Sequence, residues 1–190
     1  MNVIDLSTLA RERLRPLRRA EYDRLVQLGC FEDEKIELLD GLLVAMSPQG
    51  APHLYVIRKL SKLFTLAIGE RALVQTQGPL AVSEDSEPEP DLALVPNEDY
   101  SSVHASRAFL VVEVAETSLR KDRLVKSALY ARAEIPEYWI VNLEERVIEV
   151  YRSVRGGAYA NVTVHGPGQV ISCQAFPDIQ VPVAEVLPQG

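Results

Sequence analysis

Two hydrophobic periods alternate along the chain, and together they predict a mixed α/β protein. Leu17, Leu25 and Leu28 supply the apolar anchors of an amphipathic helix over Pro16–Leu28, which Gly29 terminates. KIELL and LLVAM then flank Asp40-Gly41, a dipeptide suited to the positive φ angles of a tight hairpin turn. Residues 47–52 read as a loop. From His53 to Ile68 the apolar positions Val56, Ile57, Leu60, Leu63, Phe64 and Ala67 return to helical spacing, and Gly69 ends the run. Ala72–Thr76 and Pro79–Val82 predict short strands. An acidic connection over residues 83–87 leads into PEPDLALV, a strand opened by Pro90-Asp91, and residues 96–106 form a polar loop.

Phe109–Ala115 is a run of apolar and β-branched residues with the pattern of a strand buried on both faces. One acid, Glu113, interrupts it. A carboxylate in that position must be paired, protonated or bound to a cation. A helix follows, with Leu124, Val125, Ala128 and Leu129 as its apolar stripe and Lys126 outside that stripe. Residues 135–141 turn into another buried strand, so strand, helix and strand predict a right-handed parallel βαβ unit. Val147–Arg152 and Tyr159–Val164 form a hairpin across Gly156-Gly157. The proline-punctuated tail, FPDIQVPVAEVL, is expected along the domain edge. The predicted fold class is α/β, in the α+β sense of a mixed central sheet flanked by helices. Residues 1–190 are expected to form a single domain.

Composition narrows the function. The chain has 190 residues, of which 47% are hydrophobic and 25% charged, ordinary proportions for a globular protein. No apolar run is long enough to span a bilayer, and MNVIDLSTLARERLR lacks the apolar core of a signal peptide, which predicts a cytoplasmic protein with no membrane partner. Cys30 and Cys173 stand alone, which indicates neither a disulfide framework nor a zinc site. The net charge of −7 argues against indiscriminate nucleic-acid binding. Basic residues are local: Arg11, Arg13, Arg15, Arg18 and Arg19, then Arg120, Lys121, Arg123 and Lys126. Each cluster reads equally as a solvated helix face or as a DNA footprint. In the second, Arg120, Lys121 and Arg123 are the candidate nucleic-acid contacts.

Asp91 and Glu113 on neighbouring strands, with a lysine close by, have the chemistry of a hard-metal site able to hydrolyse a phosphodiester. Each residue also has a structural reading. Asp91 after a proline suits a turn at the strand entrance. Lys126 suits a surface ion pair with Asp122 at i,i+4. Glu37, an acid among apolar residues, either joins the acidic cluster as an accessory metal ligand or pairs with an arginine at the core edge. His53, at a helix start, either contacts phosphate or bonds a loop carbonyl. Tyr130, Tyr138 and Trp139 are expected in the core.

Taken in order, ELLDG, SPQG followed by His53, PEPDLALV, VEVAETS, Asp122 with Lys126, and YARAEIPEYWIV resemble the Uma family of endonucleases, in the restriction-endonuclease-like PD-(D/E)XK superfamily. The resemblance covers nearly the whole chain and implies a restriction-endonuclease-like core. Asp91 matches the aspartate of the PD element, and Glu113 matches the acid of (D/E)XK. The lysine of that motif belongs at position 115, where this chain has Ala115. The resemblance implies that Lys126 supplies the amine from the following helix. It further implies Mg²⁺, with Mn²⁺ as a substitute, held by Asp91, Glu113 and the main-chain carbonyl of Val114. DNA is the implied substrate, cut to leave a 5′-phosphate and a 3′-hydroxyl. The rival reading is a catalytically silent member of the fold that binds nucleic acid or a protein, and Ala115 and the net acidity speak for it. Oligomeric state is left open, a homodimer included.

Overall fold

A computed structural model describes residues 14–189, so Arg11 and Arg13 of the first basic cluster lie outside the described residues. The first helix, α1, spans Arg19–Gln27. It begins later than the apolar anchors predict because Leu17 donates its backbone N–H to Gly41 O and Arg18 is extended as the N-cap, with Glu21 bonding back to the Arg18 N–H. The hairpin β1 (Ile36–Leu39) and β2 (Leu42–Ala45) closes over Asp40 and Gly41 at φ 48° and 75°, as the dipeptide requires. Helix α2 (Ala51–Ile68) starts two residues before His53, with Pro52 in its first turn, and stops at Gly69, φ 58°.

The central sheet comprises β3 (Leu73–Thr76), β4 (Leu92–Val95), β5 (Leu110–Ala115), β6 (Glu137–Asn142), β7 (Val147–Arg155) and β8 (Ala158–His165), in that spatial order. Only the β5–β6 pair is parallel. Its crossover passes through α3 (Leu119–Lys121), a π-helical turn over Asp122–Lys126, and α4 (Ser127–Arg132), the predicted βαβ unit. Every residue of β4, β5 and β6 is buried, which accounts for their near-continuous apolar composition. On one face Val56, Leu60 and Phe64 of α2 pack on Leu92, Val112 and Trp139; on the other, Leu129 and Tyr130 of α4 pack on Val111, Tyr138 and Ile140.

Two expectations are corrected. Residues 79–82 form no strand, only a bridge between Leu80 and Ala105, because the N–H groups of Leu80 and Ala81 are taken by the loop carbonyls of Pro88 and Ala105. The tail does not lie along the edge. It makes a small antiparallel pair, β9 (Val170–Ser172) with β10 (Gln180–Pro182), and a last turn, α5 (Val183–Val186). Ile179, Val181, Val183, Val186 and Leu187 complete the α2 side of the core, and that burial outweighs the weak strand propensity of a proline-rich segment. Among the described residues no helix is long and apolar enough to cross a membrane.

Candidate active site

Antiparallel pairing of β4 with β5 puts Leu92 opposite Val112, so Asp91, just before β4, and Glu113, near the end of β5, meet at one end of the sheet. Asp91 is 5% and Glu113 4% exposed. Asp91 Oδ2 accepts the Val114 N–H at 2.8 Å, and Oδ1 lies 2.9 Å from His53 Nε2 and 3.3 Å from the Gln49 amide. Gln77 donates to Gln49 Oε1 at 2.6 Å, while its backbone N–H bonds Asp91 O at 3.2 Å. Gln77 itself is held at φ 50°. Asp91 is thus fixed by the start of α2, the end of β3 and the backbone of β5.

The second half of the site comes from the π-helical turn. Asp122, Lys126, Leu129 and Tyr130, at i, i+4, i+7 and i+8, form the inward face of the crossover helix. That face, and not Leu124 and Val125, packs on the sheet: Leu124 is 63% exposed, Val125 also faces out, and Lys126 is 2% exposed. Lys126 Nζ lies 2.8 Å from Glu113 Oε1 and 2.9 Å from Glu37 Oε2. The Tyr130 hydroxyl donates to the same Glu113 oxygen at 2.8 Å, and Lys121 pairs with Glu37 Oε1 at 2.8 Å. Glu113 Oε2 accepts no hydrogen bond among the described residues.

The charges divide accordingly. Burial pushes the Glu37 carboxyl up, but Lys126 and Lys121 outweigh it and hold its pKa below the usual carboxylate range. Burial pulls the Lys126 ammonium down, yet Glu113, Glu37 and Asp122 hold it charged. For Glu113 burial prevails: its pKa is raised, with Asp91, Asp122 and Glu37 adding to the rise and Lys126 opposing it. Asp122 is also raised by burial, against Lys126, Ser118 and Lys121. Four buried carboxyls, Asp91, Glu113, Glu37 and Asp122, thus share two ammonium groups, Lys126 and Lys121, both already paired.

Asp91, Glu113, Val114, His53 and Lys126 line one cavity of about 90 Å³. Glu37 stands behind Lys126. Several readings change with this geometry. Lys126 is not the surface partner of Asp122, which accepts instead from Ser118 Oγ at 2.6 Å. Glu37 pairs with two lysines rather than with an arginine. His53 bonds a carboxylate rather than a loop carbonyl. Tyr130 and Tyr138 are fully buried, but the Tyr130 hydroxyl is also a partner of Glu113, a role its apolar surroundings in sequence conceal. Gln49 and Gln77 carry no sequence signal beyond their closeness to the loop and strand ends. Arg123 is bound to Glu149 and Lys121 to Glu37, leaving Arg120 as the member of its cluster with no ion pair among the described residues.

Among the described residues no three His, Cys, Asp or Glu side chains gather at metal-binding spacing. Of the four carboxylates that line the cavity, Asp91, Glu113, Glu116 and Asp122, the first two meet at the strand ends, and Glu113 has an oxygen left unbonded. That set suits a hard cation that keeps most of its own waters, as Mg²⁺ does, and does not suit a fully protein-ligated ion.

No curated protein matches the sequence. A crystal structure described as "a putative nuclease belonging to DUF820", from Anabaena variabilis ATCC 29413, shares the fold at a TM-score of 0.73 and 12% identity, covering 90% of this chain and 97% of that one. The family model Uma2, described as "Putative restriction endonuclease", matches residues 19–184. The chain belongs to the Uma2 family.

Proposed function

We propose that the protein is a Mg²⁺-dependent endonuclease that hydrolyses DNA phosphodiester bonds, with Asp91, Glu113 and Lys126 as its catalytic residues. The observation that carries this reading is the route by which Lys126 reaches Glu113: a π-helical turn brings a buried ammonium to the acid of β5, although position 115 is alanine. Widened turns of this kind concentrate at functional sites, because they cost regular helix hydrogen bonding. Asp91 and the open oxygen of Glu113, with the Val114 carbonyl, would hold Mg²⁺ or Mn²⁺. When bound, the ion supplies charge neutralisation at the phosphate and a more acidic water.

The remaining work falls to the chain. His53 and Gln49 orient Asp91. Glu37 and Glu113 hold the Lys126 ammonium at a fixed point, from which it can orient the attacking water or meet the charge that develops on the phosphate. Tyr130 holds one oxygen of Glu113 so that the other faces the cavity. The silent-member reading predicts no need for a buried, doubly paired lysine. Calorimetric titration of Mn²⁺ tests the site: weak binding by wild type that is lost in Glu113→Ala is the expected result, and equal binding by both removes Glu113 from the metal site.

A further inference from the structure

The outer face of α2 carries a positive track that ends at the site. From Gly41 through Gly69 the chain has no acidic residue, although the protein is acidic overall. Within that stretch Arg58, Lys59 and Lys62 are exposed on α2. None of them enters an ion pair among the described residues, and Lys59 lies over the Tyr55 ring at 5.4 Å. By contrast, Lys121 and Arg123, the basic residues nearest Lys126 in sequence, are neutralised by Glu37 and Glu149.

Placement links the track to the chemistry. Arg58 and Lys62 line an open groove with Ile57 and Thr76. Thr76 pairs with Leu92 and so stands at the Asp91 end of the sheet, and the next residue, Gln77, bonds both Gln49 and Asp91 O. At about 1.5 Å per residue, Arg58 and Lys62 stand about 6 Å apart along the helix axis, close enough to follow one sugar–phosphate strand.

We infer that Arg58, Lys59 and Lys62 form the phosphate-backbone track along which duplex DNA lies as it enters the Asp91–Glu113 site. The inference rests on the proposed nuclease function and adds to it the surface that grips the substrate. An unpaired positive stripe on a protein of net charge −7 is complementary to a polyanion, and the groove that Arg58 and Lys62 line contains no acidic residue. Contacts of this kind bind without regard to sequence and weaken steeply with salt.

The test is fluorescence anisotropy in EDTA with short duplexes of two unrelated sequences, across a series of salt concentrations, alongside a plasmid-cleavage assay of the wild type. Arg58→Ala/Lys62→Ala is expected to lower the slope of log affinity against log salt by about 2, at roughly 0.9 for each phosphate no longer neutralised, equally for both sequences. The charge-keeping pair Arg58→Lys/Lys62→Arg should bind as wild type. Arg155→Ala, at the far end of β7 from the site, should leave the slope unchanged. Wild-type affinity and slope in the alanine pair, or an equal loss in Arg155→Ala, overturns the track while leaving the nuclease reading intact. A wild type that neither binds DNA nor cuts it overturns both.

Discussion

Lys126 reaches Glu113 from a different element, closing to 2.8 Å at the end of β5 while almost wholly shielded from water. Its second carboxylate, Glu37, comes from the β1 hairpin at 2.9 Å. The ammonium is therefore the structural counter-ion of two buried acids as well as the proposed catalytic amine. Lys126→Met should destabilise the protein by about 3–5 kcal/mol, the usual cost of leaving a buried charge without its partner. Lys126→Arg should recover little activity, because a planar guanidinium cannot place one compact charge between the two carboxylates. Denaturant unfolding and single-turnover cleavage of the two variants check both statements. A Lys126→Met protein as stable as wild type contradicts the pairing.

Glu37 should act on Lys126 and not on the metal. Glu37→Gln is expected to keep Mn²⁺ affinity within a few-fold of wild type, to slow cleavage, and to cost about 1.5–3 kcal/mol through the lost charged hydrogen bonds. Calorimetry on the variant separates these effects. A large loss of Mn²⁺ affinity would make Glu37 a ligand.

His53 should act on Asp91. Removing an orienting partner from a ligand carboxylate costs about 10- to 100-fold in metal affinity, and His53→Ala should fall in that range. His53→Gln, which can still offer an N–H to Asp91 Oδ1, should restore part of it. If His53→Ala binds Mn²⁺ as tightly as wild type, Gln49 and the Val114 N–H suffice to hold Asp91.

Away from the site, Glu87 is 2% exposed, and its Oε2 is buried without a hydrogen bond. Burial pushes its carboxyl up and Asp23 adds to the rise, while His104 and Arg19 oppose it. A carboxyl raised in the folded state contributes stability below its unfolded pKa of about 4.5 and loses that contribution as pH rises through the folded value. Glu87→Gln should remove this loss and be more stable than wild type at neutral pH. Thermal melts of both proteins from pH 4 to 8 decide it; a variant that melts lower at neutral pH shows that the contacts with His104 and Arg19 outweigh desolvation.

Much of this was legible in the chain itself. The buried run of β5 with one acid, the Pro-Asp entrance to β4, the Asp40-Gly41 hairpin and the βαβ order all follow from local patterns, because each element satisfies its own periodicity. The inward face of the crossover helix was not legible. The apolar stripe assigns Leu124 and Val125 to the core and Lys126 to solvent, whereas the face that packs inward, at the same helical spacing, is Asp122, Lys126, Leu129 and Tyr130, two of them charged. Contacts made across the fold were also hidden: Glu37 with Lys126, Tyr130 with Glu113 and the Gln77–Gln49–Asp91 chain join residues whose neighbours in sequence say nothing of one another. The basic face of α2 was hidden for another reason. Its three cations sit among the apolar anchors of a core helix, whose burial pattern dominates the reading, whereas Arg120, Lys121 and Arg123 stand in a polar stretch yet are mostly paired in space.

The central claim is phosphodiester hydrolysis at Asp91 and Glu113, and single-turnover cleavage of supercoiled plasmid measures it most directly. Wild type, Asp91→Asn and Glu113→Gln are compared in Mg²⁺, in Mn²⁺ and in EDTA. The expected result is nicking and linearisation by wild type with either ion, none in EDTA, and none by either variant. Cleavage by Asp91→Asn or Glu113→Gln at the wild-type rate, or a wild type that leaves the plasmid intact with both ions while still binding it, contradicts the account.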